Sequence, residues 1–197
     1  VPPARVLEAA GRLFAAADNP GAVTMEAVAA EAGVGKGTLF RAFGSREGLL
    51  DALWAARLED LRFAVEEGAP PLGPPPATEG APDDAQEAAV ARLVAFLDAL
   101  LSFKLENRQL IRAREAGGGV LQSAHYRWMH GVVRDTLQAA APAMAGQGAI
   151  YTAHTLLVAV HIDLIEALLA DGLSLPDLRR LQADRVRGTI RTARGEA

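Results

Sequence analysis

Between Gly33 and Arg46 the chain carries three cations, Lys36, Arg41 and Arg46, and no acid. They lie in the stretch TMEAVAAEAGVGKGTLFRAFGSREGLL, residues 24–50, where small and hydroxyl side chains surround the charges. Gly35, Lys36, Gly37 and Thr38 give a helix start with almost no side-chain bulk, so its backbone can approach another molecule closely. The chemistry matches a DNA major groove. Lys36 can reach phosphate or a guanine edge, and Thr38 can hydrogen-bond or touch a thymine methyl. Arg41 follows one helical turn after Gly37 and Thr38. Arg46 opens the next helix, where a cation and free backbone N–H groups together suit phosphate. Residues 1–67 hold 7 basic and 10 acidic side chains, a net charge of -3, so positive charge is focused on this edge. The competing reading is a solvated face of an ordinary helical hairpin.

The elements that must hold these residues are helical. Val6, Leu7, Ala10, Leu13 and Phe14 recur at helical spacing, and Asn19-Pro20-Gly21 ends that first helix. Thr24 is placed to cap a second helix, with Glu26 in its first turn. Gly33 closes it. A short third helix, about Gly35 to Ala42, turns Leu39 and Phe43 inward, and Ser45 caps a fourth that runs to about Glu67. This is a helix-turn-helix layout, in which the start of the second helix of the pair enters the groove.

The same stretch closely resembles the tetracycline-repressor (TetR) family of bacterial transcriptional regulators. The matching residues are Thr24, Ala29 to Gly33-Val34, Gly37-Thr38-Leu39-Phe40, Phe43, and Ser45-Arg46-Glu47 with Leu49-Leu50. Ala9-Ala10 and Leu13-Phe14 of the first helix fit as well; the specific similarity covers about residues 5–54. The resemblance implies a homodimer of subunits, each with a three-helix DNA domain and a helical ligand-binding and dimerisation domain. It implies DNA contact through Thr24, Lys36, Thr38, Phe40, Arg41 and Arg46, and Gly35 and Gly37 complete the expected DNA-binding set. Three positions depart from the family. Gly35 replaces a common serine or alanine and removes a hydroxyl cap. Phe40 replaces tyrosine and loses a phenol–phosphate bond. Ala42 replaces a frequent histidine.

Composition narrows the classes. The 197 residues are half hydrophobic, enough for one large or two small domains, and the net charge of -4 excludes a generic polyanion binder. No cysteine is present, which removes disulfides, thiolate metal sites and cysteine nucleophiles. The basic residues are 18 Arg and 2 Lys. No apolar run reaches the roughly 18 residues that span a bilayer, and no secretory signal is seen. The expectation is a cytoplasmic protein with no membrane partner. The chain begins at Val1 rather than methionine, as a trimmed or partial sequence would.

Beyond the fourth helix, residues 68–84 hold six of the eleven prolines and read as a loop of polyproline II character. Helical periods then resume over 85–105, 106–115 (ended by Gly117-Gly118-Gly119), 122–141, 148–170, and a last helix capped by Ser174. That last helix has Leu178, Leu181, Val186 and Ile190 on its inner stripe, and its arginines on a solvated face. The predicted fold is all-α. Residues 1–46 form the helix-turn-helix domain and 47–197 the regulatory and dimerisation domain.

An effector would find apolar and aromatic side chains with a few polar groups in the second domain. The candidate ligand residues are Phe96, Phe103, His125, Tyr126, Trp128, Met129 and His161. His154 and His161, seven apart, would share a face of one helix, and Asp163 does not share it. His125 and His130 would point roughly 140° apart on a helix. These read as core or interface histidines, with no metal and no cofactor expected. The expected function is a ligand-responsive transcriptional regulator, most readily a repressor. It would bind a palindromic DNA operator as a homodimer through its last two helices, and a small apolar or aromatic effector would release it. The alternative is a DNA-binding regulator controlled by a protein partner or by no inducer. An all-α enzyme would need a nucleophile–base or metal set, and none is found.

Overall fold

The computed structural model describes residues 3–75, 82–115 and 120–196. Among these residues there is no strand. The helices are α1 (Pro3–Ala16), α2 (Met25–Ala32), α3 (Lys36–Phe43), α4 (Arg46–Glu66), α5 (Pro82–Glu106), α6 (Arg108–Glu115), α7 (Ala124–Ala140), α8 (Gln147–Val158), α9 (Ile162–Ala170) and α10 (Leu175–Arg194). Part of the proline-rich loop, residues 76–81, and the Gly117-Gly118-Gly119 stop lie outside the described residues.

Two compact units are built from these helices: Val1–Asp60 with Glu106–Ser123, and Leu61–Leu105 with Ala124–Ala197. The first unit folds around the apolar face of α1. Val6, Ala9, Ala10 and Phe14 are buried there, as are Met25, Val28, Ala29 and Ala32 of α2 and Leu39 of α3. α6 belongs to this unit, although α5 separates it in sequence. It packs on α1 and on the short turn Pro20–Ala22, and its Leu110, Ile111 and Ala113 are buried. Its role was not visible in the sequence, where it was one helix among several.

In the second unit Leu93, Phe96, Leu97, Leu100 and Leu101 of α5 are buried, as are Met129, Val133 and Leu137 of α7. α7 and α8 pack side by side. The single helix expected over 148–170 is two helices, α8 and α9, bent by 49°. The restart falls at His161. It leaves helical geometry (φ -68, ψ 137) and occupies the N-cap position of α9, with Asp163 in the first turn. Val160 and Ile162 stay buried across the break. His154 and His161 therefore do not share a helix. Ser174 does cap α10, accepting a bond from the Asp177 N–H at 3.2 Å. Leu181 is not on the inner stripe; it is exposed, whereas Leu178, Val186 and Ile190 are buried. Arginines on α10 also have partners: Arg180 and Arg187 pair with aspartates of their own helix, and two others reach further. Arg179 reaches Asp98 (3.2 Å) and Ser102 (2.6 Å), and Arg194 donates to the Ala140 carbonyl at 2.9 Å. No single helix among the described residues is long and apolar enough to cross a membrane.

Candidate nucleic-acid interface

Local chemistry fixes the α2–α3 pair. The Thr24 hydroxyl accepts from the Ala27 N–H at 3.2 Å and satisfies one of the unpaired donors that open α2. At the other end Gly33 adopts φ 65, the left-handed conformation that favours glycine. The chain reverses there, with the Val34 N–H bonded to the Ala29 carbonyl at 2.9 Å. α3 then starts at Gly35, which supplies no side-chain cap. The Thr38 N–H turns back to the Gly35 carbonyl at 2.9 Å, and the N–H groups of Lys36 and Gly37 before it stand at the positive end of the helix dipole. Gly44 ends α3 at φ 73, and the Ser45 hydroxyl caps α4 through the Gly48 N–H at 3.1 Å.

Thr24, Gly35, Lys36, Gly37, Thr38, Phe40 and Arg41 are all exposed, and they gather at α3 and the start of α2. A Cβ at Gly37 would meet no atom within 4 Å, so the fold itself does not require glycine there. Glycine inside a helix costs about 1 kcal/mol relative to alanine. Leaving that position bare makes physical sense if something outside the chain comes close.

The charges are less free than the sequence suggested. Lys36 pairs with Glu26 of α2, and its ammonium lies 5.7 Å from the centroid of the Phe40 ring. The pairing, with help from the Glu26 backbone N–H, lowers the Glu26 carboxyl below its ordinary range. Arg41 turns its Nε back to the Gly37 carbonyl at 3.3 Å. Arg46 departs furthest from expectation. Its Nε donates to the Val23 carbonyl at 3.0 Å and its Nη2 to the Pro20 carbonyl at 2.8 Å. Its guanidinium carbon sits 5.6 Å from the Phe14 ring centroid. These bonds tie the start of α4 to the α1–α2 turn and turn Arg46 toward the interior of the unit. Arg12 and Glu31 add a tie between α1 and α2 at 3.0 Å.

The candidate effector residues fall in the second unit or its neighbourhood in sequence. Phe96 of α5 and Trp128 of α7 meet edge-on at 5.9 Å. Trp128 also donates its indole N–H to Glu66 at 2.8 Å and lies under the Arg62 guanidinium at 5.0 Å. Phe103, Tyr126 and Met129 are buried, and His125 and His161 are half-buried. An open groove of about 280 Å³ lies between α5 and α10, lined by Val94, Leu97, Arg179 and Val186 among others and by none of these candidates. The sequence also missed a cluster between α7 and α8. The Tyr126 hydroxyl is hydrogen-bonded to His154 Nδ1 at 2.7 Å, and the His130 and His154 rings lie 4.1 Å apart. His130 Nε2 donates to the Ile150 carbonyl at 3.2 Å. Among the described residues no group of three or more histidines and carboxylates is placed to hold a metal.

Residues 6–53 match the model of the bacterial regulatory proteins of the tetR family. Solved structures share the fold over the whole chain. A TetR transcriptional regulator from Rhodococcus sp. RHA1 is 22% identical, with 95% of this chain and 93% of that one covered and a TM-score of 0.58. A second, TetR-like regulator from the same organism is 21% identical, with 94% of each covered and a TM-score of 0.55. No curated protein matches the chain. Residues 6–53, whose α2–turn–α3 is the helix-turn-helix, therefore match the bacterial regulatory proteins of the tetR family, and the chain as a whole shares the fold of solved TetR regulators.

Proposed function

We propose that the chain is a ligand-responsive repressor that binds a palindromic operator as a homodimer. The observation that carries the reading is the bare, exposed start of α3 at Gly35, Lys36, Gly37 and Thr38, which no side chain caps. Thr24, Phe40 and Arg41 flank it and would hold phosphate and sugar, while Lys36 and Thr38 reach base edges. Each head offers few contacts, so affinity requires two heads about 34 Å apart, one DNA turn.

Exposed apolar side chains support pairing through the last helices. Ile150, His154 and Val158 recur every four residues along one face of α8, with Tyr151 beside them. Tyr151 is 72% and Val158 58% exposed. Leu164 of α9 and Leu181 of α10 are exposed as well. A partner copy would cover them.

Control by a small apolar or aromatic effector is supported by two features. α4 is one helix from Arg46, next to the reading helix, to Glu66, whose carboxylate holds Trp128. A ligand among Phe96, Phe103, His125, Tyr126, Trp128, Met129 and His161 that displaces Trp128 would pull on the end of α4. α6, packed on α1, offers a second route. An effector favouring the wrong head spacing would weaken DNA binding by its coupling free energy, typically about 1–3 kcal/mol. The tight Phe96–Trp128 contact favours the second reading, a regulator with a filled core that answers to a protein partner or to none. A gel shift on DNA upstream of the protein's own gene, with and without cell extract, tests the proposal. A specific shift abolished by extract metabolites supports effector control. A shift that no small-molecule fraction alters supports the second reading, and no specific shift at low salt refutes both.

A further inference from the structure

Glu26 stands beside the proposed reading edge, paired with Lys36, and the α2 fold asks for an acid there only through the helix dipole at its start. It is exposed in the first turn of α2, while Lys36 is the first residue of α3. The two side chains form an ion pair, with 57% and 58% of their respective side-chain surfaces accessible. The pair spans the two helices of the motif. Its consequence follows from the other cations. Arg46 is committed to the Pro20 and Val23 carbonyls and Arg41 Nε to the Gly37 carbonyl. With Glu26 counted, the exposed charge left on this edge is the sum of Lys36, Arg41 and one carboxylate.

We propose that Glu26 is a specificity-determining residue that holds Lys36 away from the phosphates of non-cognate DNA. Non-specific binding is driven by cations displacing counterions from phosphates, and its salt dependence counts those cations. To serve a phosphate anywhere along a duplex, Lys36 must either give up Glu26, exchanging one anion for another, or keep it and bring the carboxylate against the anionic backbone. A base acceptor at a fixed place is different. The ammonium has three N–H donors, so it can keep Glu26 and still donate to a guanine edge in the groove. Glu26 thus lowers binding everywhere except where a base acceptor meets Lys36. Lys36 first and the Glu26 backbone N–H second hold the Glu26 carboxyl below its ordinary range.

This inference rests on α3 being the reading helix, and the test separates the two claims. Binding of the full chain to a labelled random-sequence 30-base-pair duplex is measured by fluorescence anisotropy from 50 to 200 mM KCl. Wild type, Glu26→Gln, Lys36→Ala and the double variant are compared, with circular dichroism confirming the fold of each. The expected result is tighter non-specific binding by Glu26→Gln, with a log–log salt slope steeper by about 0.9 per protomer, one recovered cation. Lys36→Ala should change the slope little alone and should return the Glu26→Gln slope to that of wild type. If Glu26→Gln binds with the wild-type affinity and slope, Glu26 has no such role, whatever α3 does. If the wild type shows no salt-dependent binding to any duplex, α3 is not a reading helix and both claims fall.

Discussion

Replacing Arg46 by methionine keeps most of the stem and removes the guanidinium. The structure assigns that group two hydrogen bonds to backbone carbonyls, at 3.0 and 2.8 Å, and a contact with the Phe14 ring. A hydrogen bond from a charged donor contributes about 1.5–3 kcal/mol net, and an exposed cation–π contact about 0.5–1 kcal/mol. Arg46 is half-buried, so the lower ends apply, and the pair of bonds plus the ring gives about 3.5 kcal/mol. Urea unfolding of the full chain, followed by circular dichroism, should show the transition of the first unit displaced downward. With a slope of about 1–3 kcal/mol per molar urea, the shift is about 1–3.5 M. Because the guanidinium is spent inside the domain, the salt slope of DNA binding should stay at the wild-type value. A loss of stability under about 0.5 kcal/mol, with a slope shallower by about one per protomer, would refute this reasoning and return Arg46 to the phosphate clamp that its position first suggested.

Further outcomes are expected. Gly37→Ala should raise stability by about 0.5–1 kcal/mol, since its Cβ would meet nothing within 4 Å, yet weaken operator binding in a gel shift. Equal or better binding would remove close backbone approach from the account. Ile111→Ala, buried on α6, should cost about 2–5 kcal/mol in urea unfolding; a neutral result would mean that α6 does not support the first unit. Val158→Glu should give monomers in sedimentation velocity, and an unchanged dimer would move the interface off α8. The His154 pKa lies below its ordinary 6.5 through burial first and the neighbouring His130 second. The folded state therefore binds fewer protons than the unfolded chain. Its contribution to stability is complete above pH 6.5 and declines as pH falls toward the depressed folded value. His130→Asn should raise the His154 pKa in an NMR titration, and no movement would contradict the ring contact as a cause.

What the sequence made legible is what neighbouring residues decide. Thr24, Gly33 and Ser45 act within four residues of their own positions, so the limits of α2 and the start of α4 could be read directly, while the end of α3, expected near Ala42, lies at Phe43 before Gly44. The position of Lys36 on α3 was equally legible, but its pairing with Glu26 of α2 was not, because a pair ten residues apart across a turn depends on how the two helices cross. Arg46 shows the same limit more strongly. Its partners are 23 and 26 residues back, and a cation at a helix start has the same sequence appearance whether it faces solvent or interior. α6 was read as a helix but not assigned to the first unit, because its apolar stripe does not say which face it meets. The break after Val158 was hidden by an apolar run with neither glycine nor proline. Burial of Val160 and Ile162 on both sides of the bend, a tertiary effect, overrides local helix preference there.

The central claim is that the exposed start of α3 reads DNA in a paired arrangement. Selection of bound sequences from a random duplex library by the full chain tests it most directly, with Lys36→Ala and Thr38→Ala selected in parallel. The account predicts enrichment of a palindrome whose half-sites are centred about 10–10.5 base pairs apart or a multiple of that, with base preference lost at one or two positions per half-site in each variant. Enrichment of no sequence, or of the same palindrome with undiminished preference in both variants, would contradict it.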